Sequence, residues 1–278
     1  MHRFSVFLFS VFLFSVFSAQ AQPRDRGSFS YLYEGTADID SGGHLALREL
    51  EFRTGYPVWR EPHRIISLGL RATRYDFLTS DAVLEDFTTH SLRLPVTAVW
   101  PRGGSWSWMA MVAPALRSDF ESLSTDDLGL SAMLLATYPW RPDLRLSVGA
   151  VYGQDFGRTR LFPALGATWT PSPELSVDLT FPRPRAAYKV SPVLTLTIGI
   201  EPGGDQWNIQ LDGDSRDLAL KEYRAGLGAE WQFARQLALV FQAGHVFGRE
   251  LELRNERRKI SETDIDDTWY ARVGLRVQ

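Results

Sequence analysis

The stretch WYARVGLRVQ, residues 269–278, alternates strictly between two kinds of side chain. One parity is apolar and comprises Trp269, Ala271, Val273, Leu275 and Val277. The other parity comprises Tyr270, Arg272, Gly274, Arg276 and Gln278. Successive side chains of a β-strand point to opposite faces, so this period of two predicts a strand with one apolar face and one arginine-bearing face.

The same alternation recurs along the chain in segments of about ten residues. Clear examples are HRIISLGLRATRY (63–75), HSLRLPVTAVW (90–100), LRLSVGAVY (144–152) and KEYRAGLGAEW (221–231). Helical spacing fits none of them. The sequence therefore predicts an all-β protein.

The connections between these segments alternate between short and long. The short turns carry aromatic residues: YPVWREPH (56–63), VWPRGGSW (99–106), TYPWRPD (137–143), TWTPSPE (168–174) and EWQFARQ (230–236). The long connections are charged, as in LTSDAVLEDFTT (78–89) and ELRNERRKISETDIDD (252–267). This alternation is typical of an antiparallel up-and-down transmembrane β-barrel, whereas a soluble β-sandwich gives no reason to sort tryptophans to one end. The predicted aromatic girdle consists of Trp59, Trp100, Trp106, Trp140, Trp169 and Trp231.

The segments and turns predict 14 strands. The weakest part is FPRPRAAYKVSP (181–192), because proline cannot donate a hydrogen bond to a sheet ladder. If this region forms an irregular wall or an inward loop instead of two short strands, the count becomes 12.

The first residues, MHRFSVFLFSVFLFSVFSAQAQ, have the features of a secretory signal peptide. A basic start precedes an uncharged run that is shorter than the roughly 20 residues a transmembrane helix needs. We expect cleavage after Ala21, so that residues 1–21 are the signal peptide and residues 22–278 the barrel domain. The alternative is a short membrane anchor.

Composition limits the partners. The chain has no cysteine, so it folds without disulfides. Without Arg3, 29 basic residues stand against 33 acidic ones, a balance that gives no reason to expect a nucleic-acid partner. The expected partners are the lipid bilayer with lipopolysaccharide, the barrel-insertion machinery and small solutes, and no cofactor or metal is expected.

The polar parity of the strands predicts what lines the lumen. Charge on the lipid face would cost about 2–4 kcal/mol per arginine at mid-membrane, so these residues should point inward. The candidates are Arg71, Arg93, Arg145, Arg224, Arg272, Arg276, Glu222 and Glu230, with Asp178 and Glu34 as further interior acids. They form either a structural network that braces the lumen or an arginine-lined constriction that passes anions.

The functional hypothesis is an outer-membrane channel for small solutes. One alternative is a closed structural or adhesive barrel. Another is a rim hydrolase or lipid-modifying enzyme that uses His44 or His245 with Asp38, Asp40 or Asp264, although no spacing selects these residues. The acidic stretches LDGDSRD (211–217) and SETDIDD (261–267) are interpreted as solvated loops and not as calcium sites.

Three stretches resemble a family of bacterial outer-membrane barrels known as domain of unknown function 6268. They are LFPALGATWTPSPELSVDLTFPRPRAAYKVSPVLTLTIGI (161–200), KEYRAGLGAEWQFARQLALVFQAGHVFGRELEL (221–253) and DTWYARVGLRVQ (267–278). The resemblance implies an outer-membrane barrel and no particular activity. The last strand also resembles the sorting signal that such barrels present to their insertion machinery, with matches at Arg272, Gly274 and Val277. The final, usually aromatic, position of that signal would be residue 279, beyond Gln278.

Overall fold

The computed structural model describes residues 26–80, 86–100, 106–153, 160–211, 213–255 and 258–278, so the predicted signal peptide lies outside the described residues. Within these ranges, 17 strand segments form a single sheet. They are β1 (Gly27–Asp38), β2 (His44–Glu61), β3 (Arg64–Thr79), β4 (Phe87–Arg93), β5 (Val96–Trp100), β6 (Ser107–Ser118), β7 (Leu128–Arg141), β8 (Leu144–Gly153), β9 (Arg160–Trp169), β10 (Leu175–Asp178), β11 (Arg185–Ser191), β12 (Leu194–Gly203), β13 (Gln206–Leu211), β14 (Asp214–Ala234), β15 (Leu237–Asn255), β16 (Arg258–Ile265) and β17 (Thr268–Val277).

These segments make a closed barrel of 14 antiparallel strands. Three barrel strands consist of two segments each, because β4 and β5 share their neighbours, β12 and β13 both pair with β14, and β16 and β17 both pair with β15. The barrel closes where β1 pairs with β17, from Gly27 opposite Val277 to Glu34 opposite Tyr270. The prediction of 14 strands is confirmed. The count of 12 is wrong because β10 and β11 pair with each other and with β9 and β12.

The outward face of the barrel is apolar. Large outward side chains around the circumference are between 43% and 64% exposed: Leu68, Val112, Leu134, Ile198, Leu227 and Val273. So much contiguous apolar surface is unstable in water and requires a lipid environment. In the part of the chain that the structure describes, no helix has the length and apolarity to cross a membrane.

The barrel is wide enough to contain a lumen. With strands about 4.8 Å apart and tilted by about 40°, a 14-stranded barrel measures roughly 28 Å between opposite backbones. β1 begins, and β17 ends, at the end of the barrel that carries the short turns, which is here called the short-turn end. The opposite end, called the long-loop end, carries the extensions of β14 and β15, which are 21 and 19 residues long.

The long-loop end is filled by a hydrophobic core that sequence reasoning did not predict. After Gly203 the chain bends inward, and β13 packs against the inner faces of β2 and β3. The core contains Ala37, Ile39, Leu45, Leu47, Tyr75, Phe77, Trp207, Ile209, Leu218, Leu220, Leu251 and Ile265, all at most 7% exposed. One further prediction was wrong here: within the predicted long connection 252–267, residues 252–255 belong to β15 and residues 258–265 form β16.

Candidate functional site

Three arginines lie side by side on the inner wall of the barrel. Arg53 on β2 is the register partner of Arg71 on β3, which in turn faces Arg93 on β4. Like charges directly opposite one another in a sheet repel. The repulsion is compensated from two sides: Glu51 accepts from Arg53 Nη2 (2.9 Å) and Arg71 Nε (2.5 Å), and Asp205 accepts from Arg93 Nη2 (2.5 Å).

A second group of charges is fully buried beside the hydrophobic core. Arg224 Nε donates to Glu34 Oε1 (2.8 Å) and Arg224 Nη1 donates to Glu49 Oε2 (2.9 Å). Arg249 Nη2 donates to Glu34 Oε2 (2.9 Å), and Arg249 Nε to Glu222 Oε2 (3.3 Å). No member of this buried charge cluster is more than 4% exposed. The cluster thus cross-links β1, β2, β14 and β15 through the lumen.

The remaining predicted lumen residues lie nearer the short-turn end. Arg272 Nη1 donates to Glu201 Oε1 (2.8 Å) and Gln242 Oε1 (2.9 Å), and Arg276 pairs with Glu230. Arg145 shares its face with its register partner Thr168, is exposed, and forms no ion pair with any residue that the structure describes. Seven of the eight candidates therefore form ion pairs with other charged side chains of the barrel, and Arg145 stands apart from them.

Two cavities inside the barrel bring many of these side chains together. The smaller has a volume of about 60 Å³ and is lined by six arginines and two glutamates: Arg53, Arg71, Arg93, Arg183, Arg224, Arg272, Glu49 and Glu201. Because one water molecule occupies about 30 Å³ in the liquid, this space fits two waters or one small anion. We call it the arginine cavity.

A larger cavity of about 250 Å³ adjoins the arginine cavity on the side of the short-turn end. The two cavities share Arg53, Glu201 and Arg272 in their walls. The larger one adds the cations Arg185 and Arg276, the carboxylates of Glu51 and Glu230, and the hydroxyl groups of Ser28, Ser30 and Thr197. Together the two cavities are lined by eight arginines and four glutamates.

Several of these residues were not predicted from the sequence, namely Glu49, Glu51, Arg53, Arg183, Arg185, Glu201, Asp205 and Arg249. Arg117, whose Nε lies 3.4 Å from Asp205 Oδ1, was not predicted either. For Arg53 the signal existed, because it has the same parity as Glu49 and Glu51 in β2. For Asp205 no signal existed, because its position depends on the inward bend after Gly203.

The predicted girdle tryptophans lie around the short-turn end. Trp59, Trp106, Trp140, Trp169 and Trp231 are exposed and Trp100 is half-buried. Trp106 packs against Tyr138, with 5.2 Å between ring centroids, and Trp169 Nε1 donates to Asp143 Oδ2 (3.1 Å). These amphipathic rings are suited to the lipid headgroup level.

The histidines considered for catalysis lie away from the cavities. His44 Nδ1 is 2.6 Å from Asp38 Oδ1, and its backbone N–H donates to Ser80 Oγ (3.1 Å). Within the described residues, Asp38 is the one side chain that hydrogen-bonds to the His44 ring. His245 contacts Asp267 (3.1 Å) with both side chains exposed.

One acidic group has the spacing of a metal site. Glu250, Glu252 and Glu262 offer oxygens within 4.8 Å of one another. However, Lys221 Nζ lies 2.6 Å from Glu250 and 3.1 Å from Glu252, and Arg254 also binds Glu252. The protein's own cations therefore already compensate this charge.

A closed 14-stranded antiparallel barrel with an apolar outer face and a charged lumen is an outer-membrane β-barrel, located in the bacterial outer membrane. The chain belongs to the family described as domain of unknown function 6268, whose model matches residues 89–278. The resemblance predicted from the sequence is thereby confirmed.

Comparison with curated proteins gives no match. Among solved structures, the chain is similar to an outer-membrane channel from Pseudomonas putida F1, with 12% identity, a TM-score of 0.48, and coverage of 94% of this chain and 100% of that one. It is also similar to the KdgM porin in complex with disordered oligogalacturonate, with 11% identity, a TM-score of 0.40 and coverage of 90% and 98%. A third is the translocator domain of the autotransporter NalP from Neisseria meningitidis, with 15% identity, a TM-score of 0.38 and coverage of 91% and 87%. At such low identity, these likenesses concern the fold alone.

Proposed function

We propose that this barrel passes small anions across the outer membrane through its arginine-lined lumen. The observation that supports this most strongly is the arginine cavity, where six guanidinium groups and only two carboxylates line one space. Fixed charge of one sign, surrounded by a low-dielectric wall, raises the local concentration of counter-ions. Rings of arginine or lysine select anions in pores.

The excess of positive charge is concentrated at Arg53 and Arg71. Glu51 serves both Arg53 and Arg71, so one carboxylate faces two guanidinium groups. The side chains of these two arginines are 49% and 25% exposed, so they are accessible to a solute within the lumen. By contrast, the carboxylates of the buried charge cluster are already bonded to Arg224 and Arg249.

The test is the reversal potential of the purified barrel in a planar lipid bilayer under a potassium chloride gradient. The parent protein is expected to favour chloride, and Arg71→Gln is expected to reduce that preference because it removes an accessible charge from the arginine cavity. The matched control is Arg74→Gln, three residues along the same strand, where the side chain is on the outward face and pairs with Asp76. Cation preference in the parent, or equal effects of both variants, would refute the proposal.

A non-conducting structural or adhesive barrel is the second candidate. The hydrophobic core at the long-loop end supports it, because β13 covers the lumen over β2, β3, β4 and β6. Passage of solutes therefore requires displacement of β13. If the lumen never conducts, even when β13 is released, the barrel is structural.

We further propose that lipopolysaccharide surrounds the barrel in the outer leaflet and that the insertion machinery recognises β17. The polar and small positions Arg272 and Gly274 face the lumen, whereas Trp269 and Val273 face lipid. Support comes from the position of β17, which ends at Val277 and closes the barrel against β1.

A further inference from the structure

The chain between β12 and β13 is held rigidly on the inner wall. Gly204 has a φ of +77°, a left-handed conformation that favours glycine, and a Cβ at this position would lie 2.1 Å from the carbonyl oxygen of Leu220. The backbone oxygen of Asp205 accepts a hydrogen bond from the Leu220 N–H (2.9 Å). The bend therefore fixes the Asp205 side chain relative to β14.

Asp205 connects this bend to two strands on another part of the wall. Its carboxylate is 1% exposed, with Oδ2 at 2.5 Å from Arg93 Nη2 and Oδ1 at 3.4 Å from Arg117 Nε. Oδ1 also accepts the backbone N–H of Gln206 (3.0 Å). Arg93 at the same time lines the arginine cavity, together with Gly203 and Gly204. Asp205 therefore lies at the border between this cavity and β13.

Along its whole length β13 pairs with β14, from Gln206 opposite Ala219 to Leu211 opposite Asp214. Its contacts with the facing part of the wall, at β6 and the residues after it, are fewer. Asn208 forms a parallel bridge with Ser118 at the end of β6. The Gln210 N–H donates to Asp119 Oδ2 (2.7 Å), and Gln210 Nε2 donates to Ser122 Oγ (3.0 Å). Loss of these contacts separates β13, together with the segment of β14 that pairs with it, from the facing wall at β6.

We propose that Arg93 and Arg117 form a carboxylate-binding site that Asp205 occupies in the closed barrel. A solute carboxylate competes with Asp205 for these two guanidinium groups and thereby releases β13. The inference rests on the proposed passage of anions, because the competing carboxylate must first reach the arginine cavity. It adds the chemical class of the solute and the contact that closes the lumen.

The physical reason for competition is that the exchange conserves strong hydrogen bonds. Breaking the Asp205 contacts without a replacement removes a carboxylate from beside the Arg117 guanidinium, which is 2% exposed, and removing one partner of a buried ion pair is strongly destabilising. A solute carboxylate supplies two planar acceptor oxygens, the geometry that guanidinium groups bind best. Chloride has no such pair of oxygens. The volume of about 60 Å³ favours a carboxylate with a small substituent, such as acetate.

Single-channel recording with potassium acetate in place of potassium chloride, at constant ionic strength, tests this inference. The parent is expected to open more often in acetate. Asp205→Asn is expected to be open in both salts and to lose the acetate response, because the neutral amide binds the arginines weakly. The control Asp76→Asn makes the same chemical change on the outward face of β3 and is expected to keep the response.

A disulfide lock provides a second test that does not depend on the folding of Asp205→Asn. Since the chain contains no cysteine, the pair Asn208→Cys and Ser118→Cys introduces a single possible cross-link across the bridge. Oxidation is expected to abolish the acetate response, and reduction to restore it. The control pair Val96→Cys and Val112→Cys joins two adjacent barrel strands and should leave the response intact.

Two outcomes would overturn the inference: an acetate response that persists in the oxidised Asn208–Ser118 pair, or an Asp205→Asn variant that opens and responds like the parent. Anion selectivity that depends on Arg71 would still stand in either case, so the proposed function is judged separately. If no variant conducts, hydrogen exchange of residues 206–211 with and without acetate still tests the competition. Equal exchange in both salts would then reject it.

Discussion

Replacing Trp207 with alanine should loosen the closure at the long-loop end. The side chain is fully buried, and its ring centroid lies 4.8 Å from that of Tyr75 and 5.5 Å from that of Phe77. Truncating a buried tryptophan typically costs about 3–5 kcal/mol. Trp207 makes these contacts only while β13 is docked, so the cost falls on the closed state. At about 1.4 kcal/mol per factor of ten, docking weakens by roughly two to four powers of ten.

Hydrogen–deuterium exchange of the folded barrel measures this change directly. The Gln210 N–H is the best reporter, because its acceptor, Asp119, lies on the opposite side of the closure. Its exchange requires local opening of β13 and not global unfolding. Trp207→Ala should therefore accelerate exchange of the peptide containing Gln210 by about a hundredfold or more.

Two further variants make the result specific. Trp140→Ala removes a tryptophan of equal size that is 64% exposed on the outward face, and exchange near Gln210 should remain unchanged. Trp207→Phe retains one aromatic ring and should give an intermediate rate. Exchange in Trp207→Ala within threefold of the parent would show that this core does not hold β13, and the assignment of the closure would be refuted.

Two other variants test the barrel itself. Arg224→Met leaves Glu34, Glu49 and Glu222 with insufficient positive charge. It should therefore lower the free energy of unfolding, measured by urea titration, by about 3–5 kcal/mol. The control Arg74→Gln, at an exposed ion pair, should change this free energy by less than about 0.5 kcal/mol. An equal effect of the two would contradict a cross-linking role of the buried charge cluster. Gly244→Ala should reduce the folded, heat-modifiable fraction on gels, because its Cβ would lie 2.0 Å from the Ala225 carbonyl oxygen. Gly55→Ala, with its nearest atom at 3.9 Å, should fold like the parent, and similar folded fractions for both would argue against this close strand contact.

The sequence predicted the barrel because lipid imposes a simple rule on the spanning segments. In β3, Ile66, Leu68 and Leu70 must contact lipid while Ser67 and Arg71 face the lumen, so alternation can be read directly. The turn chemistry then added the strand count. Both signals depend on residues that are close together in the sequence, so they can be recognised in a single sequence.

The closure of the long-loop end by β13 was not predicted, because lipid contact determines which side chains are apolar only where the strands span the bilayer. In β2, Leu45 and Leu47 share the parity of Glu49 and Glu51, yet all four are buried inside the barrel. A rule that assigns apolar side chains to lipid places Leu45 and Leu47 on the wrong face. Their true partners, such as Trp207, lie more than 150 residues away, and no local pattern encodes that contact.

The charged residues of the lumen have two different tasks, and their burial distinguishes them. Arg249, Glu34 and Glu222 are each at most 2% exposed, so a solute in the lumen does not contact them. The charge of Arg249 therefore contributes to the structure of the barrel. Arg53 and Arg71 share one carboxylate and remain accessible, so their charge is available to a passing anion.

Arg224 belongs to both groups, since it lines the arginine cavity while binding three buried glutamates. A loss of conduction in an Arg224 variant would therefore follow from misfolding as readily as from lost selectivity. Variants of Arg71 avoid this ambiguity, because the Arg53 guanidinium remains to compensate Glu51 when Arg71 is removed. The anion hypothesis is accordingly tested at Arg71, and the structural hypothesis at Arg224.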